Sequence, residues 1–177
     1  MIELFSNSIP QMLGAFVGAG LAFVLALLKS KHDKRKEISL SLIDEYYSTD
    51  FLKHRISVDS LRKRVKSGET TIEQIACGFW YPGESSYFEG EVSDGLNEHQ
   101  HLEAYLGYIV RVSHADENGF LDSRLLRAAL STSYDWEAGF IWSIAENTRK
   151  QVLAHAGGSK VPVWVRAAEH AKEVLGT

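Results

Sequence analysis

The sequence predicts an all-α fold: one long N-terminal apolar helix running into a bundle of about five to six helices. Three observations point there. An uncharged run extends from Leu4 to Leu28. Downstream, apolar side chains return at three- and four-residue intervals. No segment alternates convincingly with period two, so strands are not expected.

The apolar run is the first element. Its core, Ile9 to Leu28, would span roughly 30 Å as a helix, the hydrocarbon thickness of a bilayer. It stops abruptly at Lys29-Ser30-Lys31-His32-Asp33-Lys34-Arg35-Lys36. A secretory signal peptide would want a basic start, a shorter apolar core and small residues before a cleavage site. Here the start carries Glu3 and no Lys or Arg, and Leu27-Leu28-Lys29 is bulky and then basic. A buried core helix would be shorter and would mix in polar residues, whereas 12–28 has no polar side chain on any side. The reading is therefore a transmembrane helix over 9–28. Ser8 and Gln11 have capping-box spacing, and Pro10 suits a first turn.

Orientation follows from the flanks. Lys29, Lys31, Lys34, Arg35 and Lys36 crowd one side, while residues 1–8 hold no Lys or Arg. The positive-inside rule then makes 1–8 a short extracytoplasmic N-terminus and places the rest in the cytoplasm. The same five cations would sit at the membrane surface, attracted to anionic headgroups. Within the span Gly14, Gly18, Ala22 and Ala26 recur every fourth residue, with a GxxxG pair at 14 and 18. Small residues allow close helix approach in lipid, so this ridge is a candidate self-association face. Gly and Ala are common in membrane helices regardless, and many such ridges bind nothing.

Residues 29–48 are expected to continue as a basic juxtamembrane stalk, with Ile38, Leu42, Ile43, Tyr46 and Tyr47 as its apolar stripe. The cytoplasmic helical domain then occupies 49–177. Asp50 can cap a helix over about 50–67 bearing Phe51, Val58, Leu61 and Val65, which stops before Gly68. Thr70 and Glu73 have capping-box spacing for a short helix near 71–78. Residues 79–95 are turn-rich yet carry Phe79, Trp80, Tyr81, Tyr87 and Phe88. A plain linker would not need these rings, which either pin the loop onto the helices or offer Trp80, Tyr81, Tyr87 and Phe88 to a partner.

A helix over 97–114 presents Leu102, Tyr105, Leu106, Ile109 and Val112, and Asn118-Gly119 ends it. Asp122 starts a short helix with Leu125, Leu126, Ala129 and Leu130. A separate helix over 135–154 directs Trp136, Phe140, Ile141, Ile144, Thr148 and Val152 inward, up to Gly157-Gly158. Ser159 and Pro162 open the last one, with Trp164, Ala168, Ala171 and Leu175.

Charge is unevenly distributed. The net of −4 divides into +5 over 29–66, −11 over 67–147 and +3 over 148–177, with Glu3 making up the difference. The basic part lies beside the predicted span. The acidic part either keeps the domain soluble or faces a basic partner. The single cysteine, Cys77, excludes an intrachain disulfide framework and fits a reducing compartment.

The layout resembles a family of bacterial membrane-anchored, all-helical proteins catalogued as a domain of unknown function. The resemblance is carried by the anchor with its basic flank and by Ile38-Ser39-Leu40-Ser41-Leu42-Ile43-Asp44-Glu45-Tyr46-Tyr47. Leu102-Glu103-Ala104-Tyr105-Leu106-Gly107-Tyr108-Ile109 and Asn118-Gly119-Phe120-Leu121-Asp122-Ser123-Arg124-Leu125-Leu126 add to it. It covers most of 10–150 and implies a bacterial origin, hence an inner-membrane location. It implies no catalytic residues.

Chemistry is sparsely signalled. Glu98 and His101 have the Glu-x-x-His spacing of di-iron bundles, but no second copy exists. His99 and His101 would point about 200° apart on a helix and chelate poorly. A solvated helix start is the plainer expectation for this stretch, and no metal or cofactor site is predicted. Cys77 has the surroundings of a small buried hydrophobe. Gly157-Gly158-Ser159-Lys160 lacks the strand and spacing of a phosphate loop. Arg62-Lys63-Arg64-Val65-Lys66 suits a solvated face or lipid headgroups, and an acidic chain makes nucleic acid an unlikely partner. The expectation is a non-enzymatic interaction module: an adaptor, sensor or regulatory subunit with an unknown protein partner, self-associating through its transmembrane helix. The alternatives are a membrane-acting effector of a bacterial stress or phage-defence system, and an unrecognised enzyme.

Overall fold

The computed structural model describes residues 2–80, 95–155 and 161–175, with side chains from residue 20 onward apart from those of Trp80, Trp136 and His155. Among the described residues it is all-helical. In chain order the elements are α1 (Ile2–Tyr47), α2 (Thr49–Ser67), α3 (Ile72–Trp80), α4 (Glu98–Glu117), α5 (Ser123–His155) and α6 (Val163–Leu175). α6 packs on both α4 and α5, α2 packs on α4, α3 packs on α5, and α1 leans on α5 and α2.

Local chemistry explains the boundaries. Ser48, not Asp50, caps α2 by accepting from the Phe51 amide at 3.1 Å, so the cap lies two residues before the acidic one. Gly68 ends α2 with φ of 82°, a left-handed backbone in which a side chain would be strained. The capping box of α3 is Thr71 with Gln74, one residue beyond the predicted Thr70–Glu73 pair. Asn97 and Gln100 form the box of α4. The chain leaves α4 through Asn118 and Gly119, the latter at φ of 65°.

The two helices predicted over 122–130 and 135–154 are one, α5, of 33 residues and about 50 Å. Ser131-Thr132-Ser133-Tyr134-Asp135, between the two predicted helices, is a run of weak helix formers. It contains neither Gly nor Pro, however, and Leu130, Tyr134 and Ile141 carry one buried stripe straight through it. Burial on one face outweighs propensities of a few tenths of a kcal/mol per residue.

The core follows the predicted spacing along α2, α4 and α6, except that Val65 and Trp164 are only partly buried. Phe51, Val58, Leu61, Leu102, Tyr105, Leu106, Ile109, Val112, Ala168, Ala171 and Leu175 are all buried in one cluster. Helix α1 divides in two. Residues 20–34 are exposed on every side. From Arg35 the helix is seated: Leu42 and Tyr46 are buried, and Ile38 and Ile43 are partly covered.

Candidate functional site

Two features set this molecule apart from an ordinary bundle: an apolar length of helix left exposed among the described residues, and a buried polar hub at the foot of that same helix.

Beyond the bundle, α1 presents Leu21, Phe23, Val24, Leu25, Leu27 and Leu28, each at least half exposed, with Phe23 at 65% and Leu25 at 64%. At 100° per residue these six side chains cover most of the circumference. The arc they leave holds Ala22 and Ala26, both exposed. Thus the described half of the predicted small-residue ridge is the one flank of this length without a large side chain. Gly14 and Gly18, the other half, lie outside the residues with described side chains. No helix among the residues so described is long and apolar enough to cross a membrane. The predicted span 9–28 lies partly outside them, its described portion beginning at Gly20.

The basic collar follows. Lys29, Lys31, Lys34 and Lys36 are exposed, whereas Arg35 is half-buried and donates from Nε to the Leu121 carbonyl at 2.8 Å. That bond is the first attachment of α1 to the bundle. One turn on, Ser39 donates to the Arg35 carbonyl at 2.9 Å and accepts the Asp122 amide at 2.8 Å, fixing α1 to the start of α5. Tyr108 then donates to the Leu42 carbonyl at 3.1 Å, and Tyr47 to the Ala129 carbonyl at 2.8 Å.

The foot ends at Glu137, a carboxylate on α5 that is 5% exposed. It accepts from Tyr105 at 2.5 Å, Tyr46 at 3.1 Å and Arg55 Nε at 3.2 Å. The Arg55 guanidinium also lies over the Tyr46 ring, 4.2 Å from its centre. A buried carboxylate is tolerable only when paired and fully hydrogen-bonded, and here α1, α2 and α4 each supply a donor. Burial, reinforced by the Glu137 charge, pushes the Tyr46 and Tyr105 hydroxyls far above the ordinary tyrosine value, so both remain protonated donors. Phe51, Tyr105 and Tyr108 pack ring to ring around the hub.

Next to it, His54 Nδ1 and His101 Nδ1 lie 2.9 Å apart with ring centres 5.0 Å apart. The rings therefore meet almost end to end along the nitrogen–nitrogen line. That is the geometry of one N–H donating to a neutral nitrogen, rather than of two lone pairs converging on an ion. Burial first, and the second imidazole next, push the His54 pKa below its ordinary value.

The expectation of a solvated start to α4 is corrected. Glu98 and His101 are both buried, because positions 98, 101, 105, 108 and 112 share one helical face and that face meets α2. Glu98 is ion-paired with Arg64, which removes Arg64 from the supposed open basic face. Burial outweighs that pairing and raises the Glu98 pKa. Arg62 and Lys63 pair with Asp59 on their own helix, so the 62–66 cluster is largely satisfied within the bundle. His99 faces the Phe79 ring on α3 and His101 faces α2, so the two do diverge. Among the described residues no group of three or more His, Cys, Asp or Glu can hold a metal.

Cys77 is half-buried rather than fully enclosed. Of the aromatic segment, Phe79 stacks between His99 and Trp164. The Trp80 side chain, Tyr81, Tyr87 and Phe88 lie outside the described residues, as does Gly157-Gly158-Ser159-Lys160. Sequence reasoning missed Glu137, Arg55 and His54 as a constellation. A signal existed for Glu137: it falls in phase with Leu130, Tyr134, Ile141 and Ile144, where an apolar residue belongs.

The fold and site define a class in plain terms: among the described residues, an all-α bundle from which one helix extends as an apolar shaft. Comparison with protein-family models, characterised proteins and solved structures finds no match. The resemblance to membrane-anchored helical proteins accordingly stands on the quoted residues alone.

Proposed function

We propose that this chain is a single-pass membrane protein whose helical bundle faces the cytoplasm and serves as an interaction module, an adaptor, sensor or regulatory subunit. The observation that carries this is the shaft. Six large apolar side chains surround α1 between Leu21 and Leu28 with no protein cover, and cations begin at Lys29. Such a surface is a liability in water and a requirement in hydrocarbon. The run Ile9–Leu28 has the length to span, and the five cations of 29–36 argue for a cytoplasmic bundle.

A non-enzymatic role is the simplest reading of the interior. The buried polar groups of the hub are satisfied by one another, which fits a structural core better than a reactive one. The attachments at Arg35, Ser39, Leu42, Tyr46 and Tyr47 make the stalk rigid, so motion or clustering of the anchor would be transmitted to the bundle. Ala22 and Ala26, continuing the Gly14–Gly18 ridge, favour self-association.

Two experiments test this. Membranes expressing the chain are washed with alkaline carbonate and probed with a membrane-impermeant thiol reagent against single cysteines placed at Ser6 and Ser131 in a C77S background. Retention, with labelling from outside at position 6 only, is expected; release into the wash overturns the anchor. Crosslinking in the same membranes should capture a second copy or a defined partner. Recovery of monomer alone would count against the interaction module, and G18L should weaken any homotypic crosslink.

A further inference from the structure

A cavity of about 390 Å³ opens where the shaft meets the bundle, lined by His32 and Arg35 from α1 and by Asp122, Ser123 and Arg124 from the start of α5. We infer that it is a binding site for the phosphate of an anionic glycerophospholipid. This rests on the anchor proposed above and names a ligand for the membrane-facing end of the bundle.

The chemistry is that of an anion cradle. Arg35 commits Nε to the Leu121 carbonyl, which fixes the guanidinium in place. Its terminal nitrogens donate to no protein group among the described residues. Arg124 likewise makes no hydrogen bond or ion pair among them. Two forked guanidiniums brought together from residues 89 positions apart suit the oxygens of a phosphodiester better than a point charge does. Asp122 is the one carboxylate in the wall. It accepts the Leu125 amide at 3.2 Å, so its charge is directed at capping α5. Ser123 Oγ is turned away to Asp116 at 2.7 Å.

Position along α1 selects the source of the phosphate. His32 and Arg35 follow Leu28 by four and seven residues, about 6 and 10 Å along the helix axis. The headgroup layer on each side of the hydrocarbon is roughly 5–8 Å deep. The cavity mouth thus sits at the level of lipid phosphates once Leu28 reaches the hydrocarbon boundary. The exposed lysines of the collar lie on the same length of helix but line no part of this cavity, and they supply only diffuse attraction.

The test uses the full chain in detergent micelles, titrated with phosphatidylglycerol or phosphatidylcholine and read by native mass spectrometry. One phosphatidylglycerol retained in preference to phosphatidylcholine is expected. R35Q/R124Q should lower that retention on the order of tenfold, while K29Q/K31Q, with the same charge change outside the cavity, should lower it much less. R124Q alone, at an exposed position with no hydrogen bond or ion pair among the described residues, guards against misfolding and should still show a several-fold loss. Equal loss in the lysine pair, or no preference between the lipids, overturns the site. A parallel titration with inorganic phosphate separates the sources: displacement of the lipid by low-millimolar phosphate would assign the cavity to a soluble phosphate compound and overturn the lipid assignment. Failure of the anchor itself shows in the carbonate wash and leaves the micelle result independent.

Discussion

Two lengths of α1 both carry large apolar side chains and live in opposite surroundings. Leu21–Leu28 is apolar all round and exposed all round; Arg35–Tyr47 is apolar along one stripe, covered except at Tyr47, which is 53% exposed. One continuous helix thus carries two kinds of hydrophobicity. In the foot, apolar side chains are matched by neighbours and the polar ones by specific acceptors, so the segment belongs to the bundle. In the shaft no described residue covers them, and that contrast is what the membrane proposal rests on. The lesson is that hydropathy alone does not distinguish core from anchor, whereas the angular spread of the apolar positions does.

This contrast can be broken from either side. The largest effect should come from F23D/V24D. Each carboxylate costs about 2.5–3.5 kcal/mol at the centre of a membrane helix and less near its end, so the pair removes several kcal/mol of insertion free energy. Carbonate-resistant material should fall to a small fraction. The thermal midpoint of the bundle should stay within about 2 °C, because the Phe23 and Val24 side chains are exposed and belong to no part of the buried core. A large drop in that midpoint would show that the shaft is part of the fold.

The mirror experiment is E137Q in the foot. Removing one partner of a buried pair leaves Arg55 uncompensated and two tyrosine hydroxyls poorly matched, at a cost of about 3–5 kcal/mol. For a bundle of this size that lowers the midpoint by about 10 °C or more, with membrane retention unchanged. Unaltered stability would mean that the hub does not bind α1 to the bundle.

Finer resolution comes from the two tyrosines. Y105F deletes the 2.5 Å donor to Glu137 and Y46F the 3.1 Å one. Hydrogen bonds to a charged acceptor are worth about 1.5–3 kcal/mol, so each variant should lose an amount in that range, with Y105F the larger. Urea midpoints check the order. Equal losses, or additivity in the double variant, would argue that Glu137 does not couple them.

Much of this was legible in the sequence because helices are local. The stripes of α2, α4 and α6 follow from spacing alone, and Gly68 and Asn118-Gly119 end their helices as glycine chemistry demands. The fusion of α5 was not legible, since tertiary burial of Leu130, Tyr134 and Ile141 overrode a run of weak helix formers. The hub was not legible either. Glu137 meets Tyr46 and Arg55 across 91 and 82 residues, and nothing local encodes such a meeting. For the lipid cavity, Arg35 was readable only as one collar cation. Its pairing with Arg124 depends on how α1 settles against α5.

The smallest expected effect is on pH dependence, and it separates the hub's periphery from its centre. His54 is held below its ordinary value of 6.5 by burial, then by His101 and Lys53, with only Asp50 opposing. The unfolded chain therefore binds a proton that the folded chain resists, and stability is lost as pH falls through the unfolded value near 6.5. Glu98, across the same α2–α4 contact, works the other way. Its raised pKa means the folded state holds a proton more tightly, so its contribution declines as pH rises above its ordinary value of 4.5. Between those two values the slopes oppose, and the wild-type curve alone would mislead. Comparison with H54F isolates the histidine: the urea midpoint of the wild type should drop between pH 7.5 and 5.5 by more than that of the variant. Parallel curves would mean that the imidazole pair accommodates a second proton without strain, contrary to a single N–H···N contact at 2.9 Å.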